Sequence, residues 1–264
     1  MDRHSLGVTV TLALAVALAG CGAVGGDGGA GAGADGATPT LTPAPVPVVT
    51  DTPVALPPGM TGDGVTNPDR LLAAHRSALD GASYTLRVRV GVGEAVSTRV
   101  IRLVSPSRFY THDVMSGPRG NVTQFATDSV VYAKMEYAGV TQYAEFDNDY
   151  PPDSQTVQLT RLFLRVGDAA VYRTTVDGDP AFAVAGSYPV HPEAERLRNY
   201  TVRAVVEPGG LVRSLNVSYV RDEGPARTNV TRSFTYSDVG STEVAAPPWV
   251  DREFNATAES GSTR

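Results

Sequence analysis

The stretch Tyr84-Thr85-Leu86-Arg87-Val88-Arg89-Val90-Gly91-Val92 alternates apolar with polar or small side chains along its whole length. Successive side chains of a strand point to opposite faces. A period of two therefore marks a strand with one buried face, bearing Tyr84, Leu86, Val88, Val90 and Val92, and one wet face bearing Thr85, Arg87 and Arg89. Similar runs follow over 95–104, 107–114, 120–128, 129–137 and 140–146, then over 169–176, 181–188, 199–207, 211–221 and 226–237. Turn chemistry separates them, as at Asp177-Gly178-Asp179-Pro180 and Glu207-Pro208-Gly209-Gly210. Strands in succession joined by short turns imply an antiparallel meander and not a wound parallel sheet.

Just upstream lies a helix signature, with Asn67 as N-cap, Pro68 at the first helical position, Asp69 in the first turn and Gly81 as the stop. Leu71, Leu72, His75, Ala78 and Leu79 share its apolar face. A second helix is expected over 154–166, where Leu159, Leu162, Phe163 and Val166 recur at helical spacing. About ten strands roughly 4.8 Å apart make a sheet on the order of 45 Å wide, whereas one helix covers about 10 Å. The expected fold is therefore mainly β (α+β). It is a strongly curved antiparallel sheet forming a half-open barrel, with two helices on the concave face and a cavity where they fail to fill it. Leu79, Tyr84, Leu86, Val88, Leu162, Phe163 and His75 are the expected ligand-cavity residues.

The N-terminus has a different logic. An uncharged run, Leu6–Leu18, is too short to span about 30 Å of hydrocarbon, and it reads as the core of a signal peptide over 1–20. It ends in Leu18-Ala19-Gly20-Cys21, which resembles the lipobox of prokaryotic lipoproteins. Small residues before the cysteine suit a signal-peptidase groove, and Cys21 offers the thiol for lipid attachment. Residues 21–65 then form an expected disordered tether, Gly/Ala/Asp-rich to Gly36 and Thr/Pro-rich to Pro58. One domain is expected over 66–252, with a flexible tail over 253–264. Trp249, after Pro247-Pro248, is expected to anchor the C-terminal segment against the sheet. Within the tether, Gly31–Gly36 matches a dinucleotide-binding spacing but has neither the preceding strand nor the following helix that the motif needs.

Five of the seven asparagines open N-x-S/T sequons: Asn121, Asn199, Asn216, Asn229 and Asn255. This points to N-glycosylation of an exterior protein. In Asn216-Val217-Ser218 and Asn229-Val230-Thr231 the strand period puts the asparagine and the hydroxyl on the outward face and the valine inward. Asn121 and Asn199 follow the same rule.

Chemistry is sparse by comparison. The net charge is −6, with a single lysine, Lys134, among 22 basic residues, which argues against a nucleic-acid partner. One cysteine excludes a disulfide framework. His75, His112 and His191 make no metal-binding pair, and no nucleophile elbow is present. The acids Glu145, Asp147, Asp149 and Asp153 lack the glycine of a calcium loop and surround Pro151-Pro152, so they read as a solvated loop. No catalytic residue, metal or cofactor is assigned, and the chain reads as a non-enzyme.

The lipobox, the acidic Gly and Thr/Pro tether, Leu56-Pro57-Pro58-Gly59, Gly64-Val65-Thr66, Ala74-His75, Ser83-Tyr84-Thr85 and Pro247-Pro248-Trp249 together resemble uncharacterised haloarchaeal surface lipoproteins. More distantly, the order helix, meander, helix, meander is similar to LolA/LolB-type carriers and LppX/LprG-type lipid-binding lipoproteins. That resemblance implies a half-barrel holding a lipid or other hydrophobic molecule, on a protein anchored at the outer face of the cell membrane through lipid on Cys21. The alternative is a non-enzymatic surface module that docks a membrane or surface-layer partner.

Overall fold

Strand periodicity is realised as one eleven-stranded antiparallel sheet. The computed structural model describes residues 54–116, 120–148, 160, 163–187, 197–223 and 226–255. In chain order the elements are β1 (Met60–Thr61), β2 (Gly64–Val65), α1 (Pro68–Leu79), β3 (Tyr84–Val92), β4 (Ala95–Ser105), β5 (Arg108–Met115), β6 (Asn121–Thr127), β7 (Val130–Tyr137) and β8 (Val140–Asp147). Then come β9 (Ala169–Val176), β10 (Asp179–Gly186), β11 (Leu197–Val206), β12 (Val212–Glu223), β13 (Ala226–Ser237), α2 (Pro248–Val250) and a π-helical turn, Asp251–Asn255. The sheet order is β8-β7-β6-β5-β4-β3-β13-β12-β11-β10-β9, and β1 pairs with β2 in a separate two-stranded sheet. Two meanders, β3–β8 and β9–β13, are thus joined by pairing of the first strand with the last. Among the described residues the sheet ends in two edge strands, β8 and β9, and does not close into a barrel.

The sequence signals for α1 act as their chemistry requires. Asn67 Oδ1 accepts the Arg70 backbone N–H at 3.0 Å, Pro68 occupies the first turn, and Leu71, Leu72 and His75 are buried. The helix lies on what we term the inner face, over β3, β13 and β12. There Val212 donates its N–H to His75 Nδ1 at 3.2 Å, and the His75 ring meets Tyr236 edge-on at 5.5 Å. Tyr236 in turn meets Tyr84 at 5.2 Å and Phe234 at 5.8 Å.

Cross-strand register makes the inner face explicit. One row crosses all eleven strands: Val171, Val184, Ala204, Leu215, Phe234, Val88, Arg99, Asp113, Val122, Met135 and Gln142. From Val184 to Val88 this row is buried and apolar.

Two boundaries and one face differ from the sequence reading. Residues 54–65 fall within the expected tether, yet Met60 and Val65 are 7% and 8% exposed and belong to the main core. Gly59 holds this hairpin to α1. Its carbonyl accepts from the N–H groups of Thr66 and Asn67, and a side chain at its positive φ would collide with the Asn67 carbonyl. At the other end, Phe254 falls within the expected tail but packs on Tyr132 with ring centroids 4.8 Å apart. Third, the outer face is not uniformly wet. Val244, Trp249, Val250 and Phe254 cover Phe125, Tyr132 and Tyr143 on the outer side of β6–β8, making a second apolar cluster. Most of the expected helix over 154–166 lies outside the described residues; within it the Leu164 N–H bonds the Thr160 carbonyl at 3.2 Å.

Leu86 is fully buried at the junction of α1, β3 and β13. Leu86→Ala is expected to lower the unfolding free energy by about 2–5 kcal/mol in equilibrium urea denaturation. A loss below about 1 kcal/mol would show that this junction collapses freely and is not a close-packed core.

Candidate inner-face site

The residues singled out from the sequence fall into two groups. His75, Tyr84, Leu86 and Val88 are between 0% and 5% exposed and pack on one another and on Tyr236 and Phe234, forming the dry floor beneath α1. Leu79 and Phe163 are partly buried against the same core, and Leu162 lies outside the described residues. Phe163 is held on the inner face from two sides. Its carbonyl accepts the Tyr200 hydroxyl at 2.9 Å, and its ring stacks on Tyr219 at 6.2 Å. Beside it Val166 fills the space over Gly186, where an added Cβ would sit 2.5 Å from a Val166 methyl.

Towards β8 the cover ends. In the eleven-strand row the apolar series meets Arg99 and Asp113, a bidentate pair in which Arg99 Nε donates at 2.5 Å and a terminal nitrogen at 2.6 Å. The pair raises the guanidinium pKa, chiefly through the Asp113 hydrogen bond and against desolvation. Thr111 and Gln124 bond at 3.2 Å in the neighbouring row. Beyond the pair, apolar side chains return with incomplete cover. Met115, Val122 and Met135 are half-buried on the inner face of β5–β7, and Tyr137 is 55% exposed. Alternation alone places Val122 and Met135 on this face. Nothing in the strand pattern tells that α1 stops short of them.

The sequon residues also separate. Asn199, Asn216 and Asn229 are exposed, with Tyr200, Val217 and Val230 behind them at 4%, 0% and 1%. Asn199 sits at φ 52°, a left-handed conformation that asparagine tolerates. Asn121 differs. It is half-buried, and the hydroxyl of its sequon, on Thr123, is 7% exposed and bonded to His112 Nδ1 at 3.0 Å. The side chain of Asn255, together with Cys21 and His191, lies outside the described residues.

Concavities occur on the outer face over β9–β13. One of 610 Å³ is floored by Ala183, Ala185, Ser214 and Ser233, and an adjoining one of 850 Å³ shares Tyr172, Arg203 and Asn216 with it. Among the described residues no three His, Cys, Asp or Glu side chains are gathered as a metal site would need. No helix among them is long and apolar enough to cross a membrane.

No protein-family model matches the chain, and neither does any curated protein. Among solved structures it is similar to a LolA superfamily protein from Nitrosomonas europaea at 8% identity, over 69% of this chain and 96% of that one, with a TM-score of 0.23. It is similar also to a MucA/MucB complex structure of Pseudomonas aeruginosa at 11% identity, over 67% and 99% of the two chains, with a TM-score of 0.10. Superpositions this poor leave function to be argued from the chain's own faces.

Burial raises the Tyr200 phenol above its ordinary value of 10.0, with Tyr219 adding to the effect. The neutral phenol is the form the fold accepts, so its contribution is complete below the unfolded pKa and is lost as pH rises through the folded one. Tyr200→Phe is expected to cost about 1–3 kcal/mol at neutral pH by orphaning the Phe163 carbonyl. Above about pH 10 the gap between native and variant should narrow, because only the native chain must keep a phenol protonated. A gap that stays constant from about pH 8 to about pH 11 in urea denaturation would contradict this.

Proposed function

We propose that this chain is a lipid-anchored, N-glycosylated surface protein whose inner face holds a lipid, an acyl chain or another hydrophobic molecule. The observation that carries the reading is the incompletely covered apolar rim of Met115, Val122, Met135 and Tyr137, on the same face that α1 buries elsewhere. Contiguous exposed apolar surface bordered by polar groups is the usual mark of a binding surface, and methionine adapts its shape to varied ligands. On this reading the open sheet is a half-barrel. The tail of the ligand lies along the rim, and its polar end meets the Arg99–Asp113 pair. Both members of that pair already satisfy each other, which suits a neutral or zwitterionic head better than a bare carboxylate.

Anchoring is read from Leu18-Ala19-Gly20-Cys21 and the tether behind it. A two-chain lipid there holds a protein at a membrane stably, at about 0.8 kcal/mol per buried CH₂. Exposure of Asn199, Asn216 and Asn229 supports sugars on the outer face opposite the ligand. No catalytic role is assigned to any residue.

Two measurements test the reading separately. Titration with the uncharged apolar probe N-phenyl-1-naphthylamine should show saturable fluorescence enhancement, and Val122→Arg or Met135→Arg should weaken it at least tenfold while leaving thermal unfolding unchanged. Equal binding by native chain and variants would refute the rim. Cys21→Ser should move the chain from the membrane to the soluble fraction. If it stays on the membrane, the anchor reading fails and the rim is untouched.

A further inference from the structure

We propose that β8 is the edge through which two copies of this chain pair, making one continuous sheet across a twofold axis. β8 ends the strand order, and six of its eight residues are exposed. Open edges in soluble proteins are normally blunted by charged side chains, lysine above all, by proline, bulges or covering loops. β8 carries neither proline nor lysine, its two charges, Glu145 and Asp147, stand near its C-terminal end, and its ladder with β7 runs without a register break from Tyr137–Val140 to Val130–Asp147. The opposite edge is approached by β2 at the first residue of β9. Gly64 of β2 lies so close to Ala169 of β9 that a Cβ on Gly64 would sit 2.5 Å from the Ala169 methyl.

Self-complementarity argues for a second copy over a foreign strand. Val140 and Phe146 both lie on the inner face and are 56% and 44% exposed. When β8 is set antiparallel to its own copy with Tyr143 opposite Tyr143, Val140 of each chain falls opposite Phe146 of the other. In that register Gln142 meets Ala144, and Glu145 meets Thr141, so no carboxylate faces another. Moving the register by two residues either way sets Phe146 against Gln142 or Ala138 and leaves the exposed apolar pairs unmatched. Apolar and uncharged cross-strand pairs stabilise an antiparallel edge, whereas like charges directly opposite destabilise it. A twofold axis normal to the sheet also keeps both inner faces on one side, so the Val140–Phe146 contacts form together and leave water together.

The test uses the full chain released in mild detergent. Sedimentation equilibrium should give the mass of two chains. Val140→Lys alone and Phe146→Glu alone should each sediment as one chain with unchanged thermal unfolding, since both positions are exposed. Mixing the two variants should restore the two-chain species. The register then sets the introduced lysine of one chain against the introduced glutamate of the other on one side of the axis, and the unchanged Phe146 against the unchanged Val140 on the other side. A native chain that sediments as a monomer overturns the proposal, and so does a dimer that survives both single substitutions. Failure of the mixture to reassociate overturns it too, since the register is what makes a second copy the partner. Hydrogen exchange gives an independent reading: β8 amide protection should rise with protein concentration in the native chain and not in Val140→Lys.

Discussion

The structure hangs on the ladder between β3 and β13. Each meander is a chain of hairpins that can form locally, but only this ladder makes them one sheet, and it joins opposite ends of the domain. The hydroxyls of Thr85 and Thr242, 157 residues apart in sequence, meet at 3.1 Å beside it. Closing so long a loop costs entropy that grows slowly with length and must be met by burial at the joint. Tyr84, Tyr236, Phe234, Leu71 and Leu86, the largest fully buried side chains, are gathered there, and His75 ties α1 to the seam through the Tyr236 ring. Each such side chain contributes about 1.5–3 kcal/mol on burial.

Placing the first and last strands at the centre forces the middle strands, β8 and β9, to the edges. The chain must therefore return from one edge to the other between Asn148 and Ala169. Phe163, Leu164 and Val166, the described apolar residues of that return, pack against the inner-face core, Leu164 fully buried. The two halves of the sheet are consequently covered on different faces. β9–β13 and β3 are covered inside by α1 and the return, and β6–β8 are covered outside by the C-terminal segment. An exposed apolar rim on the inner side of β5–β7 follows from this topology and is not an isolated packing defect.

How much of this is legible in the sequence depends on what carries period. All eleven strands of the sheet stand out because each is long enough for alternation to repeat, and α1 stands out because Asn67, Pro68 and Gly81 bracket it. β1 and β2 do not, since two-residue strands beside Pro57-Pro58-Gly59 have no period to show. The second core escapes for another reason. Phe125, Tyr132 and Tyr143 sit on the phase that alternation marks as wet, and their aromatic bulk is the available sign that this phase is also covered. Trp249 does anchor the C-terminal segment against the sheet, as its setting after two prolines implies, but the face it anchors to is a tertiary fact. The rim is invisible for the same cause, because alternation states which way Val122 and Met135 point but not what lies over them.

The Arg99–Asp113 pair marks where these two regimes meet. A charged pair inside an apolar row is a weak source of stability, because desolvation offsets most of its Coulomb gain. Its side chains are 36% and 13% exposed, so it stands at the margin of the dry floor and not within it. Its stronger effect is on register. A two-residue slip of β5 along β4 would set Asp113 against Ile101 or Ser97, leaving Arg99 unpaired and, in the first case, burying a carboxylate beside an isoleucine. The slip would also move Phe109 off Leu103 and break the row that begins at Tyr84. One pair therefore holds the β3–β8 meander in the register that keeps its floor continuous with the seam, and it does so at the line where cover by α1 gives out.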